Sequence, residues 1–192
     1  MEFYNLQALK IHNMKYLIII LSFFAATQAV QAQEIAFSKI DKSPLDVVIH
    51  RDNNNQAIAR VIYSRPAKRD RTIFGELVKY GEVWRTGANE ATEIDFFYDV
   101  TINGNLVKAG AYSIYTIPGE DVWTFILNSQ TNQWGTKHDP SKDILKVTMD
   151  SMPSPQTIEE FSISFVEDPD GLILFMGWDD TLVNLPIQVA QL

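Results

Sequence analysis

Hydrophobic and polar positions alternate along most of this chain with period two, the repeat of a half-buried β-strand. Phe161, Ile163 and Phe165 fall on one face of such a segment, with Ser162 and Ser164 opposite. Leu172, Leu174, Met176 and Trp178 share a face of the next. β-Branched and aromatic residues crowd eight segments, 57–64, 92–100, 110–118, 121–128, 143–149, 161–166, 171–178 and 181–190, and "DVVIH" adds a strand ahead of them. Turn residues punctuate the series. "INGN" carries the Asn103-Gly104 pair of a type I′ hairpin, and "RDNNNQ", "PGED" and "EDPDG" read as further hairpin loops.

The pattern predicts an all-β fold: one antiparallel β-sandwich, jelly-roll-like or barrel-like, over residues 33–192. Helical periodicity is confined to one expected turn near residues 74–78. "MPSPQ" (152–156) is expected to be a kink or the end of a strand, because proline cannot donate to a ladder. Of the two turn glycines, Gly104→Val is expected to cost more than Gly171→Ala, since a type I′ turn needs positive φ.

The first residues change the picture of where the protein works. Lys15 precedes the apolar run "YLIIILSFFAA" (16–26), and Val30 and Ala32 stand three and one residues before a cut ahead of Gln33. A positive flank, a short apolar core and a small-residue exit are the signature of a secretory signal peptide. The run is shorter than the roughly 20 apolar residues of a membrane span. Residues 1–32 are therefore expected to be an N-terminal extension and signal peptide, with Met14 as the start of translation. The mature protein is expected to be soluble and exported, periplasmic or extracellular.

Composition narrows the partners. The chain has 192 residues, no cysteine and a formal net charge of −8. Without disulfides the domain relies on packing alone. An acidic domain repels nucleic acid and anionic lipid, so neither is an expected partner. The exception is the basic cluster "RPAKRDR" (65–71), which reads either as a solvated loop or as a phosphate or carboxylate site. "RDNNNQ" lacks the glycine and distal glutamate of a calcium loop. No cofactor and no metal site is expected, and no GxSxG, Walker, HExxH or dinucleotide motif is present.

Two stretches carry candidate chemistry. "NQWGTKHDPSKD" (132–143) sets His138 beside Trp134, Asp139 and Asp143, which suits acid–base chemistry or an ordinary Asp-Pro turn. His50, next to Arg51 at a strand end, reads as surface pairing. "WRTGANE" (84–90) offers the planar fork of Arg85, the amide of Asn89 and the carboxylate of Glu90 around a tight Thr-Gly-Ala loop. It reads either as a structural corner, with Trp84 in the core and Arg85 paired with Glu90, or as the edge of a site.

"FGELVKYGEVWRTGANEATEIDF", "INGNLVKAGAYSIYTIPGEDVWTFILN" and "QWGTKHDPSKDILKV" together resemble the exported bacterial family catalogued as domain of unknown function 2911. The resemblance runs at motif level over residues 63–147 and is most specific from Trp84 to Glu90. Lys79 departs from the proline of the family pattern. The resemblance implies signal peptides and β-rich domains, but no activity and no catalytic residues. The expected function is a cell-envelope module that binds a small polar ligand or glycan through Arg85, Asn89, Glu90, Trp134 and His138. The alternatives are a structural or interaction domain, and a hydrolase or lyase using Glu90 or His138 as acid/base.

Overall fold

The computed structural model of the protein describes Met14 and residues 35–189. The expected signal peptide and the expected cut before Gln33 lie outside the described residues. The chain divides into two units, Met1–Lys39 and Ile40–Leu192. In the first, residues 35–39 have no regular structure. No helix among the described residues is long and apolar enough to cross a membrane.

The second unit is all-β. Its strands are β1 (Leu45–Arg51), β2 (Ala57–Ser64), β3 (Thr92–Phe96), β4 (Val100–Ile102), β5 (Asn105–Val107), β6 (Gly110–Ile117), β7 (Val122–Asn128), β8 (Asp143–Asp168) and β9 (Gly171–Val189). They form one antiparallel sheet in the order β1-β2-β3-β6-β7-β8-β9-β4-β5, with β1 and β5 at its edges. The sheet is open, not closed into a barrel. It folds over a core that joins Val61 and Tyr63 of β2, Phe125 of β7, Phe161 of β8, and Leu174 and Trp178 of β9.

Long strands make that folding possible. β8 pairs with β7 through Val122↔Asp150 to Asn128↔Asp143, and then with β9 from Ser151↔Val183 onward. Its register breaks between Pro153 and Ile158 and again before Ser162. The prolines therefore mark an irregularity inside one continuous strand, not a strand end: each lacks the N–H a regular ladder needs. β9 likewise runs through the expected break at 179–180. Conversely, the expected strand 92–100 is divided, because residues 97–99 leave the sheet. Asp99 anchors this departure by accepting from Ala109 N–H at 2.9 Å and Lys108 Nζ at 2.8 Å.

The hairpins form where the turn residues stand. Asn103 and Gly104 have φ of +47° and +76°, as a type I′ turn requires. Asp52 Oδ1 accepts from the N–H groups of Asn54 and Gln56 at 2.9 and 2.7 Å, closing the β1–β2 loop. The expected helical turn at 74–78 does not form. Val78 N–H reaches Ile73 O at 2.9 Å and Gly75 N–H reaches Val78 O at 2.8 Å, giving a closed loop with Gly75 at φ +88°.

Two side chains clamp the β1–β2 end of the sheet onto β8. The Tyr63 hydroxyl accepts from Ile163 N–H at 3.0 Å, and Arg65 donates to Phe161 O at 3.2 Å and Ser162 Oγ at 2.7 Å. The chain beyond β2 then follows β8 outward, with Phe161 N–H on Pro66 O at 3.0 Å. This brings the basic segment 65–71 alongside Trp84 and Trp178.

Candidate functional site

The stretch from Trp84 to Glu90 is pinned at both ends by backbone hydrogen bonds. Trp84 and Thr116 exchange bonds of 2.7 and 3.0 Å, and Gly135 N–H and Ala91 N–H reach Asn89 O and Gln133 O at 2.9 and 3.0 Å. Between these anchors the backbone turns sharply. Thr86 and Asn89 hold φ of +53° and +58°. For a β-branched residue such as Thr86 that conformation costs about 1–3 kcal/mol. Its compensation is local: buried Thr86 shares a 3.1 Å hydroxyl contact with Thr116, and its carbonyl accepts from Thr92 Oγ1 at 2.6 Å. Gly87 fits because a Cβ there would meet Ser64 O and Thr92 Oγ1 at 3.0 Å.

Trp84 is partly buried and sits in an aromatic cluster. It stacks on Trp178 at 5.9 Å and 15°, and meets Phe161 edge-on at 5.1 Å. Arg85 does not pair with Glu90. Its Nη1 is 3.4 Å from Asn89 O, and among the described residues it forms no ion pair. The arginine stem lies over Gly135, where a Cβ would come within 2.5 Å of its Cδ. Glu90 points to solvent on the far side of the corner.

The loop after β7 supplies the opposing wall. His138 Nε2 is 2.7 Å from Asp143 Oδ1, and the ring rests on Tyr115 with centroids 4.5 Å apart. Asn128, fully buried, donates to the same Asp143 oxygen at 2.8 Å and to Asp139 O at 2.9 Å. Lys146 Nζ stands 3.0 Å from Asp143 Oδ2. Burial pushes the Asp143 carboxyl up, but the donors Asn128, His138 and Lys146 outweigh it and hold the group below its ordinary 3.8. Asp139 accepts from Ser141 N–H at 2.9 Å and caps the 3₁₀ turn Pro140–Lys142. "HDPSKD" is thus a turn and a His–Asp pair at once. Burial raises the Tyr115 hydroxyl, partly offset by the Gln133 amide that donates to it at 3.1 Å.

These walls enclose a cleft of about 600 Å³ whose lining includes Trp84, Arg85, Asn89, Tyr115, Gly135 and His138. Three of the five residues singled out in the sequence, Arg85, Asn89 and His138, meet here. Glu90 and Trp134 do not. They face each other across an antiparallel bridge and line a separate concavity with Asp41, Leu45 and Ile62, with Asn89 shared between the two. His50 is remote from both, tilted against Phe165 at 6.1 Å.

Sequence reasoning missed Asn128, whose role depends on a contact 15 residues away, and Tyr115, which looked like one more strand aromatic. It also missed Lys42, and that Arg69 and Arg71 of the basic cluster line the same cleft.

No curated protein and no solved structure matches the chain. A family model described as "Protein of unknown function (DUF2911)" matches residues 43–187, and the chain belongs to that family.

Proposed function

We propose that the protein is a ligand-binding module of the cell envelope, and that the cleft between Trp84–Asn89 and His138 receives a small polar ligand such as a sugar. The observation that carries this reading is Arg85, a guanidinium set at a cleft of about 600 Å³ without a carboxylate partner among the described residues. That volume is in the range of small-molecule sites, and an aromatic floor with a few converging polar groups is their usual composition. The strained Asn89 in its lining, with buried Thr86 strained beneath, adds support, since such conformations cluster at binding sites. Export rests on the N-terminal sequence. A thermal-shift screen of the mature protein against neutral and charged sugars tests the reading, because a ligand of the native state raises the melting temperature. A ligand whose effect is lost in Arg85→Gln supports it; a screen with no stabilising compound counts against it.

The His138–Asp143 pair favours a second reading, hydrolase or lyase chemistry in the same cleft. Asp143 fixes the imidazole through Nε2, and Nδ1 forms no hydrogen bond among the described residues. That arrangement suits a group that accepts or delivers a proton. Turnover of a bound compound that disappears in His138→Gln would select this reading over simple binding.

A further inference from the structure

We infer that the ligand of this cleft is an oxyanion, a small sugar acid or sugar phosphate. This rests on the binding reading above and adds the chemical class. The chain is acidic overall, with a formal net charge of −8. Yet Lys42, Arg69, Arg71 and Arg85 all line this one cleft, with His138 beside them, and no aspartate or glutamate is among its lining residues. Some cations elsewhere on the domain are matched to carboxylates, Arg60 to Asp95 at 2.6 Å, Arg65 to Asp46 at 3.0 Å and Lys68 to Asp179 at 3.4 Å, while others such as Arg51 and Lys79 stand singly on the surface among the described residues. The four of the cleft form no ion pair among the described residues. Arg71 is fastened by backbone, donating to Ala67 O at 2.5 Å and Lys68 O at 3.0 Å. Arg69 donates no side-chain hydrogen bond among the described residues, and Arg85 makes only its long contact to Asn89 O. Of the nearby carboxylates, Asp41 is engaged by Ser43 N–H and Asn89, Glu159 by Arg69 N–H at 2.7 Å, and Asp143 by Asn128, His138 and Lys146, while Asp70, between Arg69 and Arg71, is outside the lining.

Like charges gathered in a concave site with low-dielectric walls focus a field that draws counter-ions. A guanidinium presents a fork that matches carboxylate or phosphate oxygens in pairs. The cleft volume, about 600 Å³, is far more than a bare phosphate fills. The apolar remainder, with the partly buried Trp84, suits a ring carrying the anionic group.

Isothermal titration of the mature protein with two matched pairs, galacturonate against galactose and glucose 6-phosphate against glucose, tests the inference. At least one acid is expected to bind while its neutral partner does not, and the pair that discriminates identifies carboxylate or phosphate. Binding should weaken on raising salt to about 0.15 M. Arg85→Gln and Arg69→Gln should each weaken it by about tenfold. Arg51→Gln, the same change of charge at the β1–β2 hairpin, should leave it unchanged. Equal binding of acid and neutral sugar, lost in Trp84→Ala, would overturn the anion class and leave the binding reading standing. Acid binding that survives both cleft substitutions would place the anion elsewhere and overturn the inference. Failure of all four probes would overturn both readings.

Discussion

His138 Nε2 lies 2.7 Å from Asp143 Oδ1, and Asp143 is held in turn by buried Asn128 at 2.8 Å. The wall of the cleft is therefore built on one carboxylate. Asp143→Asn is expected to cost about 1.5–3 kcal/mol at pH 7, the worth of hydrogen bonds to a charged group. The pH dependence has a definite sign. The folded-state pKa lies below the ordinary 3.8, so the stabilisation is complete above 3.8 and is lost as pH falls through the lower folded value. Denaturant melts of both proteins across the acid range check this. The gap between them should close only below about pH 3.8.

Gly135→Ala should disturb the opposite wall. A Cβ would lie 2.5 Å from Arg85 Cδ and 2.9 Å from Asn89 O, and the carbonyl cannot step aside without breaking its bond to Gly135 N–H. Overpacking of this kind costs about 1–3 kcal/mol. Thermal melts should show the loss, and a crystal structure of the variant should show Arg85 displaced from the cleft.

Much of the sheet was legible because strand and turn signals are local. β2 occupies the expected 57–64, and the hairpin at Asn103-Gly104 has the expected positive φ values. What escaped is long-range. Nothing in "MPSPQ" or "WDDT" says that the strands on either side continue as one, because that continuity comes from pairing with distant partners. The composition of the corner at Trp84–Glu90 suggested an Arg85–Glu90 pair that the geometry rules out. Positive φ at Thr86 and Asn89 turns the chain so that the two side chains face opposite sides. The convergence of residues 42, 69, 71 and 85 depends on the chain after β2 running along β8, which no spacing in the sequence records.

The surroundings of the two turn glycines order their alanine variants, a different comparison from the expected Gly104→Val against Gly171→Ala. Around Gly104 a Cβ would meet nothing within 4 Å, so Gly104→Ala is expected to cost about 1 kcal/mol, the backbone term alone. At Gly171 a Cβ would lie 2.3 Å from Ile187 O and 2.9 Å from Val189 N, so Gly171→Ala should cost about 3 kcal/mol. Chemical denaturation of the two alanine variants checks the order.

Glu90 and Arg85 should behave as independent residues. A double-mutant cycle with Arg85→Gln and Glu90→Gln is expected to give additive stability changes within about 0.5 kcal/mol. Glu90→Gln alone should leave the melt almost unchanged. A coupling of well over 1 kcal/mol would restore the closed pair and with it the purely structural corner.

The most direct test of a ligand site between Arg85 and His138 is an NMR titration that watches the arginine Nε–H groups and the backbone amides while galacturonate or glucose 6-phosphate is added. Expected are progressive shifts of the Arg85 and Arg69 side-chain signals and of the amides of Asn89, Gly135 and His138, with Arg51 and Asp168 at the other end of the fold unmoved. Shifts confined to Glu90 and Trp134, or no shifts with either acid, would contradict it.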